Sequence, residues 1–113
     1  MNPPKVKHDP INAAIREERI DEANRLLKQG ETADFSGTDF RTLKLRGLDV
    51  DGHDFSHSYF RQADLRGLDL TSCNLEGISL HLALIHGTYF PDNIDASEIM
   101  MSVKYGTRIR VRH

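Results

Sequence analysis

Six histidines, one cysteine and seventeen carboxylates are spread over 113 residues, so metal binding and acid–base or nucleophilic catalysis are the first chemistries to weigh. His53 and Cys73 stand twenty residues apart, and His57 follows His53 by four. A tetrahedral metal site needs three or four converging ligands. Here only His53 and Cys73 are candidates to approach one another, and a partly buried histidine is the plainer reading. His81 and His86 are expected to be solvated. Cys73 is expected at an inward position, where a thiol is usually inert. The aspartates recur at one slot (Asp34, Asp39, Asp49, Asp54, Asp64, Asp69), and such repetition suits a side chain that bonds nearby backbone at a turn. There is no phosphate-binding glycine motif and no serine-centred nucleophile elbow. The expectation is a non-enzyme with no catalytic residue, no metal and no cofactor.

Arginine is the more informative type. Arg41, Arg46, Arg61 and Arg66 fall at equivalent places in a repeating pattern that His81 and His86 continue. Arg108, Arg110 and Arg112 alternate with Ile109 and Val111 in the tail. These seven arginines are the candidate partner-binding residues. Residues 31 to 95 hold eleven acids against five Lys or Arg, whereas residues 96 to 113 hold one acid against four bases. Two readings follow: a docking face for a charged partner, or like residues copied by repeat duplication and simply solvated.

The element that must position these side chains is the stretch from Ala33 to Phe90. A large apolar residue stands at every fifth position: Phe35, Phe40, Leu45, Val50, Phe55, Phe60, Leu65, Leu70, Leu75, Leu80, Ile85 and Phe90. Helices repeat every 3.6 residues and strands every 2, so neither accounts for a sustained five. Short units that each turn a corner and send one side chain inward do account for it. Small or apolar residues sit two before the centre, Asp or Asn one before, and Gly often two after. Units such as Ala33-Asp34-Phe35-Ser36-Gly37 and Ala63-Asp64-Leu65-Arg66-Gly67 closely resemble the pentapeptide-repeat family, over residues 33 to 92. A second period of twenty appears in Leu45-Arg46-Gly47-Leu48-Asp49 and its copy Leu65-Arg66-Gly67-Leu68-Asp69. The resemblance implies an all-β solenoid, a right-handed quadrilateral β-helix of about three coils, and a tower ~14 Å tall at the usual strand spacing. Leu43, Leu48, Leu68 and Ile78 depart from the small residue of their slot and are expected to crowd a narrow interior; Leu48 and Leu68 lie one above the other, and their shared corner is expected to be wider. Asp34, Asp49, Asp54 and Asp69 should lie on the half of the tower opposite Arg41, Arg46, Arg61 and Arg66.

The flanks read differently. Residues 1 to 8, with Pro3 and Pro4, form a loose lead-in. Asp9-Pro10 is a helix start and Gly30 a stop, which predicts one amphipathic helix over residues 10 to 29. It is expected to cap the open end of the repeats, with a partner-binding helix as the alternative. Residues 95 to 104 suit a short helix ended by Gly106. The strict alternation of Thr107 to Arg112 is a strand signal. Three segments result: a lead-in and capping helix over 1–31, the repeats over 32–92, and a helix-and-strand tail over 93–113.

A net charge of −2 gives no general pull toward nucleic acid or an anionic membrane. No apolar run is long enough for a membrane span, and no apolar stretch follows the start to suggest a secretory signal. A lone cysteine fits a reducing compartment, so a cytoplasmic protein is expected, and the resemblance implies a bacterial one. The functional expectation is a non-catalytic interaction module or adaptor that binds a protein partner through its sides or termini. The basic tail suggests an acidic partner or a homodimer through the C-terminal segment. The alternative implied by the resemblance is a DNA mimic that modulates a type II topoisomerase such as gyrase. That role needs dense negative charge over a length comparable to bound DNA, which three coils with basic columns do not offer.

Overall fold

The computed structural model describes residues 3–113; Met1 and Asn2, the first residues of the expected lead-in, lie outside them. Its regular elements are three short helices, α1 (Pro10–Arg16), α2 (Ile20–Lys28) and α3 (Ala96–Tyr105). This corrects the expectation of an all-β solenoid built as a quadrilateral β-helix. The described residues contain no strand and no sheet, and about 23% of the chain is helical. The reason lies in the length of the repeat. Each five-residue unit turns a corner after one bridged position, so the bridges stay isolated and no ladder grows.

The twenty-residue register is nevertheless realised in the backbone. Parallel bridges join Asp39 to Tyr59 and Tyr59 to Ser79, then Lys44 to Asp64 and Asp64 to Leu84. Asp54 bridges Asn74, and Asp69 bridges Tyr89. The chain therefore winds so that residues twenty apart stand in columns, four columns to a winding. In the units centred from Phe40 to Ile85 the N–H three residues after the centre returns to the centre's carbonyl, as in Leu48 to Leu45 at 3.1 Å and Ala63 to Phe60 at 2.9 Å. All of these turns but the one after Leu70 place the second residue after the centre at positive φ. Gly47 and Gly67 suit that conformation, but Thr42, His57, Gln62 and Leu82 also adopt it, with φ between 56° and 66°.

The recurring aspartates serve these turns. Oδ1 of Asp34, Asp54 and Asp69 accepts the backbone N–H two residues on, at 3.0, 2.8 and 3.0 Å. The apolar centres fill the interior. Phe35 stacks on Phe55 at 5.3 Å and Phe40 on Phe60 at 5.2 Å, while the cross pairs meet edge-on or tilted, the geometry aromatic quadrupoles favour. Leu48, Leu68 and Ile78 are buried as well, so their corners accommodate a large side chain without loss of register.

The expected single helix over residues 10 to 29 is two helices. Asp9 caps α1, its carboxylate accepting the N–H of Asn12 at 3.1 Å. After Arg16 the N–H of Glu18 returns to Ile15 at 3.0 Å and that of Arg19 to Ala14 at 2.8 Å, with Glu18 at φ 61°. This is a Schellman termination carried by glutamate, where glycine is usual. Gly30 ends α2 in the same way, with Gly30 N–H to Leu27 and Glu31 N–H to Leu26. A straight 20-residue helix would run ~30 Å, against 25 Å along two of the principal extents of the chain. The break folds α2 back beside α1, so that Ile11, Ala14, Ile15 and Ala23 all reach the core.

Flanking residues bond to part of each edge of the windings. On the first, Lys5 N–H donates to Gly37 and Lys5 C=O accepts from Asp39, each at 2.9 Å, so the described part of the expected loose lead-in is partly paired. Asn24 of α2 donates to Gly47 C=O at 2.8 Å and accepts from Asp49 N–H at 2.7 Å. On the last edge, Ser102 Oγ of α3 accepts Leu80 N–H at 2.8 Å, and Ile109 exchanges bonds with Gly77 and Ile78 at 2.8 and 2.9 Å. The tail therefore makes an antiparallel bridge, Ser79 to Arg108, rather than the expected strand. Unpaired backbone groups at such edges template association, and here the chain's own segments engage them.

Candidate partner-binding faces

A carboxylate that caps a turn by accepting the N–H two residues on is also placed to receive that residue's side chain. Asp39 does so for Arg41, with Oδ1 to Nε at 2.9 Å and Oδ2 to Nη2 at 2.8 Å. Asp64 receives Arg66 at the same distances. The Arg66 guanidinium holds the Asp64 carboxyl down at a pKa of about 2, and Arg41 lowers Asp39 likewise. Two of the four repeat arginines are thus neutralised inside their own units. The columns that carry arginine also carry Asp39 and Asp64, so the expected division of charge is less complete than Asp34, Asp49, Asp54 and Asp69 alone suggest.

Arg61 and Arg46 escape this pairing because the slot two residues earlier is Tyr59 in one unit and Lys44 in the other. Both arginines are exposed, and neither has an ion-pair partner among the described residues. In the tail, Arg110 pairs with Glu98 of α3 at 3.0 Å and Arg112 with Asp95 at 3.1 Å. Arg108 turns the other way. Its guanidinium carbon lies 4.6 Å from the centroid of the Tyr59 ring, Nη1 donates to Gly77 C=O at 3.1 Å, and Nη2 donates to the Tyr59 hydroxyl.

The structure thus brings Arg41, Arg61 and Arg108 together along one groove of about 250 Å³, with Tyr59, His81 and Tyr105. It does not bring Arg46, Arg66, Arg110 or Arg112 there. A separate hollow of about 310 Å³ is lined by Asp49, Asp51 and Asp69 over Leu48 and Leu68. Sequence reasoning missed Tyr59, Ser79 and Tyr105 as groove residues. The available signal was the change from Asp39 to Tyr59 in one column, which removes the internal partner of the next arginine.

The histidine–cysteine pair forms no ligand set. His53 packs edge-on against Phe35 at 4.9 Å, and the Cys73 thiol donates to Val50 C=O at 3.0 Å. Burial pushes that thiol up to a pKa of about 11. Among the described residues no group of three or more His, Cys, Asp or Glu could hold a metal ion, and no helix is long and apolar enough to cross a membrane.

Comparison with known proteins adds one match. The family model described as pentapeptide repeats matches residues 43–77, in eight copies. Neither the curated proteins nor the solved structures gave a match.

Proposed function

The chain is a pentapeptide-repeat protein over residues 43–77, and from that premise we propose that it is a non-catalytic interaction module that binds a protein partner through its lateral faces. The supporting observation is that flanking residues, Lys5 and Asn24 at one edge and Ser102 and Ile109 at the other, already occupy part of each edge of the windings. The sides remain as the accessible repeated surface, one with the arginine groove and another with the aspartate hollow. The turn aspartates are engaged in backbone bonds, and the thiol of Cys73 stays protonated near neutral pH. Neither group is poised for catalysis. The DNA-mimic alternative fits less well, because Arg61 and Arg108 interrupt any continuous run of negative charge around the sides.

Site-specific photocrosslinking in cells that carry the protein tests this reading. A crosslinker at position 61 or at position 51 should yield a discrete protein adduct from one face and not from the other. Absence of a protein adduct from both positions overturns the module.

A further inference from the structure

In these windings an arginine is neutralised when the slot two residues before it is aspartate, as with Asp39–Arg41 and Asp64–Arg66. Tyr59 breaks that rule for Arg61. It leaves one guanidinium without an internal carboxylate and uses its ring and hydroxyl to hold a second, that of Arg108. Three arginines therefore line one groove that has no acidic lining residue: Arg41 carries its own partner, Asp39, while Arg61 and Arg108 have no carboxylate partner among the described residues.

We propose that this groove binds an extended acidic segment of a protein partner; the proposal rests on the module reading above and names the partner's chemistry. The shape of the groove argues for a segment. Arg41, Arg61 and His81 occupy the same slot in three successive windings, so the groove runs over roughly 10 Å at the usual strand spacing, with the unpaired cations Arg61 and Arg108 along it. Same-face side chains of an extended peptide recur every ~7 Å, so two acidic residues in alternation reach different levels of the groove. A single phosphate group engages one level only. The planar fork of arginine suits carboxylates. Arg108 is already fixed by the Tyr59 ring and two hydrogen bonds, which lowers the ordering cost of binding. Tyr105, 71% exposed at the end of α3, offers a hydroxyl and an apolar ring face beside the cations.

The test is fluorescence anisotropy of a labelled hexaglutamate peptide titrated with the full chain at low salt. The two variants Arg61→Ser and Arg46→Ser remove the same charge from exposed residues without an internal ion pair, so neither should alter the fold; thermal melts check this. Arg61→Ser is expected to weaken binding about tenfold, and Arg46→Ser less than about twofold. Equal weakening by both variants would reduce the effect to diffuse attraction and overturn the proposal. So would lack of binding by the parent chain, or displacement of the peptide by inorganic phosphate at matching concentration, which would make the groove a simple anion site. Failure of the peptide together with a protein adduct from position 51 would remove this proposal and leave the module reading in place.

Discussion

Replacing Gly67 and Gly77 by alanine separates two demands that the turns make on the chain. Both glycines follow an apolar centre by two residues and have φ of +77° and +73°. A Cβ at Gly67 would meet nothing within 4 Å, so only the backbone conformation is at issue. The left-handed region costs a non-glycine residue ~1–2 kcal/mol, and the stiffer unfolded chain of alanine returns ~0.4–1 kcal/mol. Gly67→Ala should therefore destabilise by about 1 kcal/mol. At Gly77 the new Cβ would lie 2.3 Å from Nδ1 and 2.8 Å from Cε1 of His57, one winding earlier in the same column. The exposed ring must swing away, at a further ~0.5–1.5 kcal/mol if it leaves its rotamer well, for a total of about 2 kcal/mol. In a His57→Ala background the steric part vanishes, and Gly77→Ala should fall back to the Gly67→Ala value. Urea unfolding of the four proteins of that cycle, with Gly67→Ala alongside, measures the coupling directly. A Gly67→Ala protein more stable than the parent would refute the requirement for positive φ. Equal effects of Gly77→Ala with and without His57 would refute the stacking of that ring on the corner below.

Acid should destabilise the protein: Asp64, Asp39, Asp34, Asp69 and Glu98 are all held below their usual values, so their contribution is present at neutral pH and is lost as pH falls from about 4 toward 2. Thermal melts should show a falling midpoint over that window and a shallower fall for Asp64→Asn; a flat profile would contradict the pairing. Cys73, 8% exposed with its pKa raised to about 11, should react with a disulfide reagent at pH 8 ~100-fold more slowly in the native protein than in urea, and comparable rates would place the thiol outside the core. Ending the chain at Gly106 removes Ile109, which is 1% exposed and pairs with Gly77 and Ile78, and should cost ~2–4 kcal/mol by chemical denaturation; an unchanged midpoint would show that the tail closes nothing. Stoichiometric protein should leave DNA supercoiling by gyrase unaffected, whereas inhibition that disappears in Asp49→Asn with Asp69→Asn would restore the DNA-mimic reading.

The register was legible because two periods coincide. A centre every five residues and copies every twenty are enough to place Asp39, Tyr59 and Ser79 in one column, where the bridges are found. The turn role of the aspartates was also legible, since one residue type at one slot of many units indicates a local backbone bond. The absence of strands was not. Period five does not say how many residues of each side pair before the next corner, and the answer is one. The break at Glu18 carries no glycine or proline to announce it. The match of Arg108 to Tyr59 spans 49 residues and depends on where the tail returns. The free state of Arg61 could have been inferred by asking of each arginine what stands two residues before it.

The way the windings are closed also sets what can change in their number. Asn24 and Lys5 at one end, and Ile109 and Ser102 at the other, grip backbone N–H and C=O groups that every winding presents. Neither closure reads a side chain peculiar to the first or last turn at those bonds. A duplicated twenty-residue segment inserted in the middle would push the two lids apart by one strand spacing, ~4.8 Å, and leave their bonds intact. The chain is in this sense an adjustable spacer: its length is a count of windings, and gene duplication or an engineer can alter that count without redesigning either end.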